Sequence, residues 1–154
     1  PHMILKAIEG KNLPVYGDGR QIRDWLYVSD HIQGLMVVAL NGKVGETYNI
    51  GGNNEWQNID LIDVLCDIVD EELGREKGSS KKLIHFVKDR PGHDKRYSID
   101  ASKIKREINW KPKYDFDKAL QETVTWYLKN KNWWMPLIDD KVLHPQPWTL
   151  NWSK

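Results

Sequence analysis

Cysteine is almost absent: Cys66 is the only one in 154 residues. No intrachain disulfide can form, and the usage suits a reducing compartment. Long apolar runs are missing too, since no stretch approaches the ~18 consecutive residues of a spanning helix and no signal-peptide pattern opens the chain. The expectation is a soluble cytoplasmic protein that contacts no membrane. Net charge is also lacking, because 23 basic residues against 22 acidic ones leave +1. That balance argues against nucleic acid as a partner, so any anion site must be local. Metal-ligand spacing is absent from His2, His31, His85, His93 and His144, and no metal is expected. Nor is there a dinucleotide glycine fingerprint, a Tyr-x-x-x-Lys, a nucleophile elbow or a P-loop. Gly17 and Gly19 superficially begin a fingerprint, but they fall in a turn with no helix following. Tyr114 and Lys118 straddle a cap at Asp115 and carry no catalytic weight.

Tryptophan is what the chain has in excess. There are eight, and Trp133, Trp134, Trp148 and Trp152 fall within the last 22 residues. A tail of that content is expected to pack on something. Pro136, Pro145 and Pro147 argue against a long regular element there.

Periodicity and turn signals place the elements. Residues 3–9 read as the end of a helix stopped by Gly10, with no cap signal before it, as in a piece cut from a longer chain. Leu13 to Tyr16, the turn Gly17-Asp18-Gly19, and an extended run from Gln21 to Val28 read as a hairpin. Asp30 with Gln33 forms a capping-box pattern, and Leu35, Met36, Ala39 and Leu40 give the helix an apolar face up to Asn41-Gly42. Thr47 to Ile50 reads as a short strand. From Asn58 to Gly74 an apolar helical stripe contains Cys66, expected as a buried structural thiol, beside a solvated acidic stripe of Asp60, Asp63, Asp67 and Asp70. Gly78-Ser79-Ser80 reads as a flexible connection before a strand over Leu83 to Val87. A short helix from Asp100 ends at Asn109, and a last helix runs from Phe116 to about Lys131. The pattern is α/β, or α+β taken by itself, with short mixed strands and about four to five helices.

Chemistry concentrates in turns. Asp89 to Tyr97 packs three cations, a histidine, a tyrosine and the Pro91-Gly92 bend into nine residues, which suits a ligand loop or an exposed basic loop. Its arginines could meet a diphosphate with planar forks. Tyr16 could stack on a base or sit in a hairpin core. Arg23 could reach a phosphate or pair with Asp24. Asn58 could cap its helix while the same helix end receives a phosphate.

In order and spacing, Pro14-Val15-Tyr16-Gly17, Arg23-Asp24-Trp25-Leu26-Tyr27-Val28 with Asp30-His31, Tyr48-Asn49-Ile50-Gly51-Gly52 with Asn54-Glu55, Asp89 to Tyr97, and Trp110-Lys111-Pro112 resemble one family. It is the dTDP-glucose 4,6-dehydratases of the extended short-chain dehydrogenase/reductase superfamily, and the likeness is to their C-terminal, substrate-binding half. It covers residues 1–134, leaving 135–154 as a Trp/Pro-rich tail. Asn109 departs from the glycine common before the tryptophan, without consequence, since asparagine tolerates the same backbone region.

The resemblance implies NAD on an N-terminal Rossmann domain outside this chain, together with the tyrosine-lysine pair and the acid/base dyad. No catalytic residue and no cofactor contact is therefore expected among these 154 residues, and most of the Rossmann sheet is expected to be missing. The reaction it implies oxidises the sugar at C4, expels the C6 hydroxyl after loss of the C5 proton, and returns the hydride to C6. Substrate binding alone carries over. Pro14, Val15 and Tyr16 would wall the nucleobase, Arg23, Asn58 and Arg90 would hold the diphosphate and ribose, and Asp89 and His93 would shape the loop. A fragment of this kind should bind dTDP-glucose without turning it over and self-associate through exposed apolar surface, with a homodimer expected of the whole enzyme. The other readings are part of a related UDP-sugar dehydratase, epimerase or decarboxylase, and a stand-alone nucleotide-sugar binding module.

Overall fold

The computed structural model describes residues 1–139. In chain order the elements are α1 (His2–Ile8), β1 (Leu13–Tyr16), β2 (Ile22–Asp24), α2 (Val28–Asn41), β3 (Glu55–Gln57), α3 (Asn58–Glu72), β4 (Ile84–Val87), α4 (Ser102–Ile108), α5 (Phe116–Lys129) and α6 (Lys131–Trp134). Single 3-10 turns occupy Lys81–Leu83 and Met135–Leu137. The chain divides into two compact units. One comprises Pro1–Arg20, Asn58–His93 and the chain from Gln121; the other comprises Gln21–Gln57 and Asp94–Leu120.

The first unit is a β-α-β arrangement with helices against it. β1 and β4 pair in parallel, Leu13 opposite Ile84 through Tyr16 opposite Val87. Leu13, Pro14 and Val15 are buried one after another. A run buried without alternation suits a parallel strand covered on both faces. The core joins Ile4 and Ala7 of α1, Leu13 and Val15 of β1, Ile62, Leu65, Cys66 and Val69 of α3, and Val124 of α5. Cys66 is fully buried, and burial, with the charges of Asp63 and Asp70, pushes its thiol up to about 12. The structural reading of this cysteine holds.

The hairpin expected over Leu13 to Val28 does not form. β1 pairs with β4 instead, a pairing that the Gly17 N–H extends by donating to the Val87 carbonyl at 3.0 Å. β2 belongs to the second unit and runs antiparallel to β3, with Arg23 opposite Trp56.

In that unit Asp30 is not a cap. Tyr27 precedes the helix, and the buried Asp30 carboxylate instead accepts the backbone N–H groups of Lys113 and Tyr114 at 2.9 and 3.1 Å. Gly34 lets Trp110 approach, since a Cβ there would lie 3.1 Å from the indole. The expected apolar face of α2 is exposed instead: Leu35, Met36 and Leu40 all face outward, Leu40 at 78%. Thr47 to Ile50 forms no strand. Asn109, at φ +56°, ends α4 in the left-handed region as its position suggests.

Two other expectations change. The Gly78-Ser79-Ser80 connection is pinned, with Ser80 fully buried and its O–H and N–H both donating to Asp70. Asp70 is accordingly not part of a solvated stripe, while Asp63 and Asp67 face Lys81. Six helices are present among the described residues, one more than expected, because the last pattern breaks at Asn130 and restarts as α6. Trp134 is buried and donates its indole N–H to the Tyr127 carbonyl at 2.7 Å, whereas Trp133 is exposed. Pro145, Pro147, Trp148 and Trp152 lie outside the described residues. Among the described residues no helix is long and apolar enough to cross a membrane. None of their His, Cys, Asp and Glu side chains form a cluster that could hold a metal.

Candidate functional site

The C-terminal ends of the two parallel strands gather most of the expected residues. Tyr16 is the last residue of β1, and Asp89 follows two residues after β4. Chain leaving neighbouring parallel strands forms a crevice in which α/β proteins hold ligands. The turn after β1 closes with the Gly19 N–H donating to the Tyr16 carbonyl, and the Gly19 carbonyl accepts from the N–H of Ile59 at 2.9 Å. Gly19 is required there, because it has φ +74° and a Cβ would stand 2.9 Å from Ile59 Cβ. That contact sets the start of α3, and with it Asn58, against the strand ends.

The loop after β4 is organised by Asp89. Its carboxylate accepts the backbone N–H of Arg90 at 2.9 Å and stands 2.6 Å from His93 Nδ1, a contact that puts the ring proton on Nδ1 when the carboxylate is ionised. The His93 side chain is almost wholly enclosed, at 5% exposure, and meets the Tyr16 ring edge-on, centroids 6.1 Å apart. Burial raises the Tyr16 phenol above its ordinary value, with the Arg90 charge acting in the opposite direction. Arg90 is exposed and Gly92 takes φ +65°, as the bend requires. Tyr16, Asn58, Asp89, Arg90 and His93 thus share one unit. Together they offer an aromatic ring, a helix N-terminus and a cation, which suits an anionic ligand with a flat group.

Of the residues expected to wall a nucleobase, Pro14 and Val15 are buried, Val15 within the core, and Tyr16 is partly open. Arg23 lies in the other unit, where its guanidinium donates to the carbonyls of Ile22 and Asp94. The Asp89 to Tyr97 segment is itself divided after His93. Arg96, on the far side of that division, makes two hydrogen bonds to Glu55 at 2.7 and 2.9 Å. Two organising carboxylates escaped the reading of the sequence. Asp24 receives the N–H groups of Gly52 and Asn54, each at 2.8 Å, and Glu55 takes Ser98 as well as Arg96. Asp24 had a signal in the Arg23 beside it, whereas Glu55 has no arginine near it in sequence.

A cavity of about 840 Å³ also opens within the second unit, lined by Trp25, Tyr27, Gly52, Lys105 and Trp110 among others. It includes none of the expected site residues. Asp30, Asp100 and Asp115 on its wall already accept backbone N–H groups. Size alone does not outweigh the grouping at the strand ends.

Parallel strands packed against helices, with an aromatic ring and a cation near their C-terminal ends, define an α/β protein. The family model of GDP-mannose 4,6 dehydratase matches residues 1–123, and the chain belongs to that family. It is 56% identical over 133 residues to a dTDP-glucose 4,6-dehydratase of Escherichia coli, covering 86% of this chain and 37% of the relative. Among solved structures it is similar to the dTDP-glucose 4,6-dehydratase of Bacillus anthracis in complex with NAD, at 50% identity and a TM-score of 0.76, covering 90% of this chain and 41% of that one. A second similar structure is the dTDP-glucose 4,6-dehydratase of Streptomyces venezuelae with NAD bound, at 38% identity and a TM-score of 0.78, covering 90% and 40%. These neighbours have the extended short-chain dehydrogenase/reductase fold, and the described residues form its C-terminal part. The chain spans about two fifths of the length of the relatives it matches.

Proposed function

We propose that this chain is the nucleotide-sugar-holding portion of an NAD-dependent dTDP-glucose 4,6-dehydratase of the cytoplasm, a lyase that yields the 4-keto-6-deoxy sugar. The observation that carries the reading is the grouping of Tyr16, Asn58, Asp89, Arg90 and His93 in one unit, where His93 touches both Tyr16 and Asp89 at the ends of β1 and β4. In this reading Tyr16 stacks on thymine and Arg90 receives the diphosphate. Asn58 at the start of α3 holds the nucleotide, while Asp89 and His93 fix the loop. Arg23 provides a second cation for the diphosphate. Pro14 and Val15 support Tyr16 from behind through the strand.

The described residues do not fit a dinucleotide. Both sheets have two strands, and the glycine turn after β1 leads to β2 instead of opening a helix. NAD is therefore assigned to another part of the protein, where it would accept and return the hydride. The residues of this chain bind and orient the substrate. For the whole enzyme a homodimer is part of the same proposal.

Calorimetric titration of the 154-residue chain with dTDP and UDP tests this. The thymine methyl, buried against apolar surface, favours dTDP about fourfold, and Tyr16→Ala weakens dTDP by roughly 1–3 kcal/mol of stacking. Equal binding of the two nucleotides, or a Tyr16→Ala variant that binds dTDP normally, refutes the assignment. Enzyme-like formation of the keto product by this chain with NAD would refute the division of labour.

A further inference from the structure

We propose that Tyr97 and Asp94 are positioning residues for Arg23, holding its guanidinium in the orientation that receives the substrate diphosphate. The inference rests on the assignment of Arg23 to the diphosphate made above. Its carrying observation is a closed set of contacts within the second unit. Arg23 donates to the Ile22 carbonyl at 2.7 Å and to the Asp94 carbonyl at 3.1 Å, and its Cζ lies 4.3 Å from the centroid of the Tyr97 ring. The Tyr97 hydroxyl donates in turn to the Asp94 carboxylate. Residues 94–97 therefore touch one guanidinium from two directions.

Backbone bonds lock this frame. The Ile22 N–H donates to the Lys95 carbonyl at 2.7 Å, and the Tyr97 N–H donates to the Ile22 carbonyl at 3.0 Å. The same Ile22 oxygen thus accepts from both Arg23 and Tyr97, so a shift of one disturbs the other. A guanidinium has five N–H donors, and the two carbonyls engage only two of them. The rest remain available to a ligand while the aromatic face fixes the plane near which they lie. A cation held in place before the ligand arrives loses less freedom on binding.

The chemistry distinguishes Tyr97 from a simple surface aromatic. Tyr97 is 49% exposed, so packing in a core does not explain it. Its ring faces a cation whose strand start it also bonds, and its hydroxyl fixes the residue whose carbonyl holds that cation. Nothing in this arrangement requires Tyr97 to touch the substrate.

The test uses the full-length protein, with dTDP and thymidine as probes and KM and kcat for dTDP-glucose as kinetic readouts. Tyr97→Leu removes the ring face, and is expected to weaken dTDP and raise KM about fivefold, leaving kcat and thymidine affinity within twofold. Tyr97→Trp, which restores a face, recovers most of the loss. In an Arg23→Ala background, Tyr97→Leu has no further effect on dTDP. Equal loss of thymidine and dTDP affinity would show a general structural role and overturn the inference. So would additive effects of the two substitutions, or an unchanged KM in Tyr97→Leu while Arg23→Ala weakens dTDP. If Arg23→Ala itself leaves dTDP binding intact, the Arg23 assignment fails first, and this inference with it.

Discussion

Replacing Ser80 by alanine should destabilise the first unit by about 2 kcal/mol, although it removes a single oxygen. The Ser80 hydroxyl donates to the Asp70 carboxylate at 2.6 Å, and both residues are buried, at 0% and 2% exposure. A hydrogen bond to a charged group contributes roughly 1.5–3 kcal/mol, and the lost volume is too small to leave a sizeable cavity. Asp70→Ala should cost more, about 3–5 kcal/mol. It strands the N–H and O–H of Ser80 and weakens the setting of Arg75, whose guanidinium donates to the Ala7 and Ile8 carbonyls at the end of α1. The double variant should resemble Asp70→Ala alone, because both changes break one contact. Acid titration supplies a second readout. Burial alone would raise the Asp70 carboxyl, but the Ser80 hydroxyl and N–H, the Gly78 N–H and the charge of Arg75 bring it below its ordinary value. A carboxyl lowered in the folded state stabilises above the unfolded pKa, and that stabilisation is lost as pH falls through the lowered folded value. The difference between wild type and Ser80→Ala should thus be full at neutral pH and shrink in strong acid. Urea unfolding followed by circular dichroism at several pH values measures both effects. Additive single-variant costs, or a difference that grows on acidification, would refute the reasoning.

Asp89→Ala should weaken dTDP at least threefold with little change in melting temperature, since it frees the Arg90 N–H and the His93 ring of a half-exposed loop. Calorimetry beside a thermal melt separates the two quantities. Cys66, with its thiol pushed up to about 12, should resist a thiol-specific chromogenic reagent at pH 8 until urea unfolds the chain; fast labelling of the native protein would contradict its buried setting. The 154-residue chain should self-associate and bind a hydrophobic dye through Leu35, Met36 and Leu40, and Leu35→Glu with Leu40→Glu should reduce both. A monomeric sedimentation profile without dye binding would remove that expectation.

Helices and their ends were the readable part of this chain. Gly10 and Asn109 terminate helices in left-handed conformations, as short-range rules demand, and the apolar stripe of α3 faces the core with Cys66 in it. Pairing was less readable. Leu13 to Tyr16 and Gln21 to Val28 flank a glycine turn, yet the partner of β1 is β4, about seventy residues later in sequence. Local turn chemistry favours a hairpin, and only the burial of Leu13, Pro14 and Val15 in succession hints at a strand covered on both sides. Polar residues misled for the same reason. Asp30 and Asp70 sit where a cap and a solvated stripe are expected, but each meets backbone N–H groups contributed from elsewhere in the chain. Such pairings have no local signature.

The Asp89 to Tyr97 segment shows how motif and structure differ in what they group. Nine consecutive residues look like one loop, yet only the five from Asp89 to His93 join Tyr16 and Asn58 in the first unit. Asp94, Arg96 and Tyr97 serve the second, where Arg96 bonds Glu55 and Tyr97 faces Arg23. One stretch thus organises two cations by different means: an Asp89-centred turn carrying Arg90, and an aromatic frame around Arg23. Each frame is closed within its own unit, so damage to one should leave the other cation in place. Substitutions around Asp89 should then leave the Arg23 frame intact, and substitutions at Tyr97 should leave the Asp89 turn intact. This follows from chemistry divided between two frames, and a single basic loop would not predict it.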